Sequence, residues 1–183
     1  YESPQGHLAD AASAVQLYRR EGSHRSFAEA ARLAVRFLAE DTDSVTRTEA
    51  AWLAVDSASR SGDNGLILEI GQAVADSSVR FTDIQEVQFH RILASAYNSN
   101  RDLEPALDHY SKLIRMELLY GDFKRYFEIA HAMNESAAKM KPVYDLARKQ
   151  SFTKSQMALI IGYQAYAAAR GKQFRQAAML ALE

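Results

Sequence analysis

Two of the five histidines, His90 and His109, fall in consecutive helical segments whose facing sides would bring two imidazoles together, the start of a zinc site. Zinc needs further ligands, and neither a His-Glu-x-x-His spacing nor a patterned carboxylate accompanies the pair, so both read as packing or surface residues. Ser136-Ala137-Ala138-Lys139 and Ser151-Phe152-Thr153-Lys154 match Ser-x-x-Lys, in which a lysine one helical turn away activates a serine nucleophile. The Ser-Asp-Asn and Lys-Thr-Gly partners of that chemistry are missing, which leaves chance spacing on helix surfaces. The run Gly62-Asp63-Asn64-Gly65 is too short to cradle phosphate and no lysine follows it. With 0 Cys there is no thiolate nucleophile, disulfide framework or cysteine-ligated metal. These residues imply no enzyme, no metal and no cofactor.

Binding chemistry is the other use of such side chains. Lys124, Arg125, Lys139, Lys141, Arg148, Lys149 and Lys172 lie among Tyr120, Tyr126 and Tyr144, and basic residues mixed with aromatics can hold single-stranded nucleic acid. They form no clustered stripe, and a net charge of -1 gives no bulk attraction to nucleic acid or an anionic membrane, so neither is an expected partner. The charge is unevenly spread. Residues 1–100 hold 9 Arg against 14 Asp plus Glu, a balance of 9 − 14 = −5, whereas residues 101–183 hold 13 Lys plus Arg against 9 acids, or +4. Two differently solvated surfaces account for this, and copies of the chain could also associate through their acidic and basic halves.

The elements that must position these residues are helices. A 48% hydrophobic share is ordinary for a globular chain, but 3 Pro and 8 Gly leave little material for the turns of an all-β fold. At 183 residues a single domain is expected. A folded chain of this size buries roughly 70% of its unfolded surface. No apolar run reaches the ~18 residues of a membrane span, so no membrane insertion is expected. The first residue is Tyr, and an apolar face opens at Phe174, Ala177, Ala178 and Ala181 without a capping signal after it, as in a piece of a longer chain.

The organising stretch is Ile84 to Leu118. Phe89, Ile92, Leu93 and Ala96 fall at i, i+3, i+4 and i+7, Asn98 to Asp102 break the pattern, and Leu103, Ala106, Leu107, Tyr110 and Ile114 resume it, which predicts an antiparallel helix pair. Similar spacing predicts helices at Leu8–Arg20, from a cap at Ser26 to Leu38, at Ser44–Arg60 and at Leu66–Ala75. In the last of these Gly71 costs about 1 kcal/mol relative to alanine unless close packing requires it. Thr82 or Asp83 would cap the fifth helix. Tyr120-Gly121-Asp122 would end the sixth, with Asp122 capping a seventh that carries Phe123, Tyr126, Phe127, Ala130, Asn134 and Ala137 on one face. Pro142 would open an eighth, since its missing N–H is not needed there. Met157 to Ala169 is apolar except for Gln164 and predicts a helix buried all round. Gly171 would stop it and Gln173 open a tenth. The predicted pairs span 8–40, 44–76, 83–120, 122–150 and 153–183.

The turns centre on Gly22, Gly62, Arg101, about Met140 and Gly171. The pairs therefore recur at steps of 62 − 22 = 40 and 101 − 62 = 39, then roughly 39 and roughly 31, a period near that of helical-pair repeats. In the central pair Leu93, Ala94 and Tyr97, then Ala106 and Tyr110, resemble the tetratricopeptide repeat (TPR); Ala14, Val15, Tyr18, Phe27 and Ala30, and Gly171, Phe174 and Ala177, resemble it more loosely. His90 stands at the opening aromatic, Arg101 at the turn glycine, and no proline closes the repeat after Leu118. The chain thus resembles a divergent member of the TPR-like superfamily, and the Phe-Leu-Ala-Glu-Asp ending also resembles bacterial envelope lipoproteins of that class, the outer-membrane assembly factors and penicillin-binding-protein activators.

The resemblance implies an all-α solenoid of about five antiparallel helix pairs in a right-handed superhelical stack, the first helix of each pair lining a concave groove. Trp52, Asp56, Arg91, Ser95 and Asn98 would face that groove. The family's clamp for a terminal carboxylate needs Lys and Asn where Arg91 and Ser95 stand, so that ligand is not implied. The expected function is a non-enzymatic scaffold that binds a protein or peptide partner as part of a larger assembly. A sensor module that binds a small ligand or peptide and controls an attached domain is the alternative. The compartment stays open between cytoplasm and bacterial periplasm or envelope, with the lipoprotein resemblance favouring the latter.

Overall fold

The computed structural model describes residues 13, 15–39 and 44–182, and every regular element among them is helical, without a strand. Helix α1 covers 15–21, followed by α2 (His24–Arg36), a short 3-10 turn (Phe37–Ala39), α3 (Ser44–Ser61), α4 (Asn64–Asp76) and α5 (Asp83–Ser99). Then come α6 (Leu103–Glu117), α7 (Tyr120–Ala132), α8 (Ala137–Ala147), α9 (Lys154–Arg170) and α10 (Phe174–Leu180). The fold class is all-α. Residues 8–12 of the expected first helix, and the acidic stretch after Ala39, lie outside the described residues.

Among the described residues, side-chain caps set five of the helix starts. Ser23 rather than Ser26 caps α2: the Ser26 amide donates to Ser23 Oγ (3.1 Å) and the Ser23 amide donates to Ser26 Oγ (3.0 Å). Thr82 and Gln85 form the same reciprocal box at α5, and Thr153 and Gln156 at α9. Asp63 caps α4 by accepting from the Leu66 amide (3.1 Å), so the turn at Gly62 joins two helices and not two strands.

Several helix ends rest on left-handed residues, and not all are glycine. Gly22 and Gly62 have φ of 72°, but Ser78, Arg101, Leu118, Asn134 and Lys172 also lie between 54° and 61°. Leu118, at φ 54°, reverses the chain so tightly that Leu119 already caps α7. Tyr120-Gly121-Asp122 therefore forms the first turn of α7 instead of the end of α6, and Asp122 is buried inside the helix. A left-handed β-carbon meets the following carbonyl, a strain that glycine avoids at some cost in unfolded-chain freedom. Leu118→Gly should raise stability by about 0.5–1 kcal/mol, read as a higher urea midpoint with an unchanged slope.

Asn134, at φ 60°, likewise ends α7 early, and the Glu135 amide closes the end on the Ala130 carbonyl (2.8 Å). Asn134 and Ala137 consequently leave the face shared by Phe123, Tyr126, Phe127 and Ala130. Ser136 caps α8 by accepting from the Lys139 amide (3.2 Å), which makes Pro142 an interior residue of that helix and not its first. The Ala138 carbonyl thereby loses its donor four residues on.

The helices gather into two compact units, one ending at Asn100 and the other beginning at Arg101, so the helices of the 83–120 pair belong to different units. In the first unit α2 packs on α3, α3 on α4 and α4 on α5, while α2 also reaches α4 and α3 reaches α5. Alanine dominates the buried residues of α2 and α3, Ala30, Ala31 and Ala34 on one helix and Ala50, Ala51, Ala54 and Ala58 on the other, and such small side chains let the packed backbones approach closely. Larger residues take over towards α4 and α5, where Leu66, Ile70 and Val74 are buried with Phe89 and Leu93. Gly71 lies within this layer because a β-carbon there would come 2.4 Å from Leu93 Cδ2, the close approach that a mid-helix glycine permits.

In the second unit α6 packs on α7, α7 on α8, α8 on α9 and α9 on α10, with α7 also reaching α9. Its core centres on Leu113, Ile114, Phe123, Phe127, Met140 and Ile160. Helix α9 is not enclosed: Tyr166 is 54% exposed and Leu159 is also open to solvent, while Ile160, Gln164, Ala167 and Ala168 are buried. The apolar run is thus two-sided in composition and one-sided in packing.

Candidate functional site

The face of the first unit that could hold a partner is built on α3 and α5. On α3, Glu49, Trp52, Leu53 and Asp56 follow the i, i+3, i+4, i+7 rule on the side away from the alanine seam, which leaves them half-buried or exposed. Trp52 stands with its indole edge-on to Phe81, ring centres 6.0 Å apart, and Phe81 leans on Phe89 at 5.4 Å, so an aromatic chain anchors it from behind. Its open side lines an apolar cleft of about 330 Å³ shared with Gln16 of α1, Phe37, Leu53 and Gln85 of α5.

One turn further along α3, Asp56 is held by two cations. Arg19 of α1 pairs with its Oδ2, and Arg60 Nε donates to the same oxygen at 3.1 Å. Arg60 also lies 5.9 Å over the Phe27 ring, and its carbonyl bonds His24 Nδ1 at 3.2 Å. The carboxylate therefore ties α1 to α3. Arg91 and Ser95 line a second, shallower concavity of about 340 Å³ with Ser59, Asn64 and Ile67, between α3, α4 and α5.

The five expected groove residues are thus divided. Arg91 and Ser95 come together, Trp52 opens onto the apolar cleft, Asp56 sits in an ion-paired cluster, and Asn98 is half-buried near the end of α5. Phe37, Leu53 and Gln85 were not singled out by sequence. Leu53 shares the periodicity of Trp52 and could have been found by it, whereas Phe37 and Gln85 reach the cleft only through tertiary packing.

His90 stacks beside Phe89 with ring centres 5.7 Å apart, and His109 lies in α6 of the other unit. Among the described residues no group of three or more His, Cys, Asp or Glu side chains is gathered as metal ligands would be. Ser136 is spent on its cap and Lys139 Nζ pairs with Glu135; Ser151 lies exposed in the link before α9, whose first residue is Lys154. Burial raises the pKa of Tyr126, helped by the Glu135 charge, and desolvation does the same to Tyr163 with help from Glu128, so both phenols stay protonated at neutral pH. Among the described residues no helix is long and apolar enough to cross a membrane. No family model matches the chain, and neither a curated protein nor a solved structure matches it.

Proposed function

We propose that the chain is a TPR-like helical-repeat scaffold, without catalytic activity of its own, that binds a protein or peptide along the α3–α5 face of its first unit. The observation that carries this reading is the order of contacts within each unit. From α2 to α5, and again from α6 to α10, each helix meets the next in sequence, and α2–α4, α3–α5 and α7–α9 meet across one helix. Helical pairs stacked in that manner leave the intervening faces open as an extended surface. On that surface Trp52 supplies a rigid aromatic at the rim of an apolar cleft, and Arg91 a cation within a shallow one of mixed lining, the residue types in which binding energy concentrates.

A pull-down from extract with the immobilised protein tests the reading, using Trp52→Ala and Arg91→Ala as paired controls. Capture of a defined protein should weaken by roughly 30-fold in Kd for Trp52→Ala, the loss of about 2 kcal/mol typical of a buried aromatic anchor, and less for Arg91→Ala. Capture that neither substitution affects would sink it. The size and apolar lining of the Trp52 cleft also favour a sensor for a small ligand, since about 330 Å³ is at the low end of small-molecule sites. That reading predicts a higher melting temperature in a low-molecular-weight extract, abolished by Trp52→Ala.

A further inference from the structure

The second unit carries a concavity of its own, about 580 Å³, between α8, α9 and α10. Its rim is basic. Lys141 is neutralised by Asp145, and Arg148 lies 5.9 Å over the Tyr144 ring, but Lys172 and Arg175 are exposed cations beside the same opening. Among the pocket's side chains Asp145 is the sole carboxylate, against four cations, and residues 101–183 carry an excess of 13 − 9 = +4. The walls are apolar as well as charged: Phe174 is 68% and Met179 63% exposed, large hydrophobic surfaces left open at the mouth.

At the inner wall lies Gln164, the polar exception in the apolar run of α9 and only 1% exposed. Its Nε2 donates to the Ala137 carbonyl at 2.9 Å, but its Oε1 accepts no hydrogen bond. An acceptor buried without a donor forfeits its hydration and gains nothing in return, and a leucine would fit the surrounding pattern without that cost.

We propose that this pocket binds an acidic peptide segment carrying an apolar anchor. The anchor packs against Phe174 and Met179, and carboxylates meet the exposed Lys172 and Arg175. A nucleic acid fits the site less well, because the Tyr144 face is already covered by Arg148 and offers no platform for a base. The proposal is independent of the Trp52 cleft of the first unit.

Fluorescence anisotropy tests it on the whole chain, using a short fluorescein-labelled peptide rich in Glu with a Leu-Phe pair, the same peptide with Gln for Glu, and labelled oligo(dT). The Glu peptide should bind, and affinity should fall by about tenfold or more for the Gln peptide, for the Lys172→Glu/Arg175→Glu double variant and at raised salt. Both replaced residues are exposed, and far-UV circular dichroism confirms that the fold is kept. Trp52→Ala should leave the affinity for the Glu peptide unchanged, which separates this pocket from the first unit's face. Failure of the Glu peptide to bind, equal affinity for the Gln peptide, binding that survives the double charge reversal, or preference for oligo(dT) would each overturn the proposal. So would self-association of the chain that disappears on charge reversal while the peptide remains unbound.

Discussion

Phe123→Ala should lower stability by about 3–5 kcal/mol, the upper range for removing a ring from a core that cannot collapse around the gap. Phe123 is fully buried on α7, and its ring meets Phe152 edge-on at 5.3 Å, while Phe152 in turn meets Tyr120 at 5.5 Å. Truncation therefore removes both the buried area and one of the two α7 rings against which Phe152 holds the link between α8 and α9. Domains have only about 5–15 kcal/mol of stability to lose, so the variant should show a much lower urea midpoint by far-UV circular dichroism. A midpoint indistinguishable from the parent's would mean that the ring is not packed as described.

Gly71→Ala poses a contest between two effects of opposite sign. Alanine should stabilise a helix interior by about 1 kcal/mol over glycine. The new methyl, however, would sit 2.4 Å from Leu93 Cδ2. Overpacking a buried layer costs about 1–3 kcal/mol. Leu93 is itself buried between α4 and α5, so its tip has little room to withdraw, and the substitution should destabilise. Leu93→Ala alone should cost about 2–5 kcal/mol. In that background the clash is gone and Gly71→Ala should become stabilising. The sign reversal is the measurement, and Trp52, the single tryptophan and a member of the same unit, reports it by fluorescence in urea. Gly71→Ala stabilising in both backgrounds would show that α4 and α5 are farther apart than described.

The helices were legible because the 3.6-residue period survives in sequence wherever a face is buried, as at Phe89, Leu93 and Ala96 or at Phe123, Phe127 and Ala130. Their ends were less so. Ser23 and Ser26 are both good caps, and only their reciprocal hydrogen bonds decide which one starts α2. Leu118 and Asn134 turn the chain in a conformation that glycine normally announces, and neither is glycine. Pro142 suggests a first turn by its own chemistry, but the cap at Ser136 acts earlier. The apolar run of α9 misled for another reason: lack of charge does not by itself enclose a helix, and Leu159 and Tyr166 stand open to solvent along with Ala158 and Gly162. The candidate site was read least well, since Trp52, Asp56, Arg91 and Ser95 share helical faces by period, while which of them share one concavity depends on how neighbouring helices stack.

The alanine seam between α2 and α3 has a mechanical consequence. Side chains of one carbon raise only shallow ridges, so two such rods have few teeth to stop one gliding along the other, and shape alone sets their phase weakly. The detents are polar and sit at one end, where His24 grips the Arg60 carbonyl and the Arg60 guanidinium covers Phe27. Dissolving those grips would free the rods to shift while each remained fully coiled.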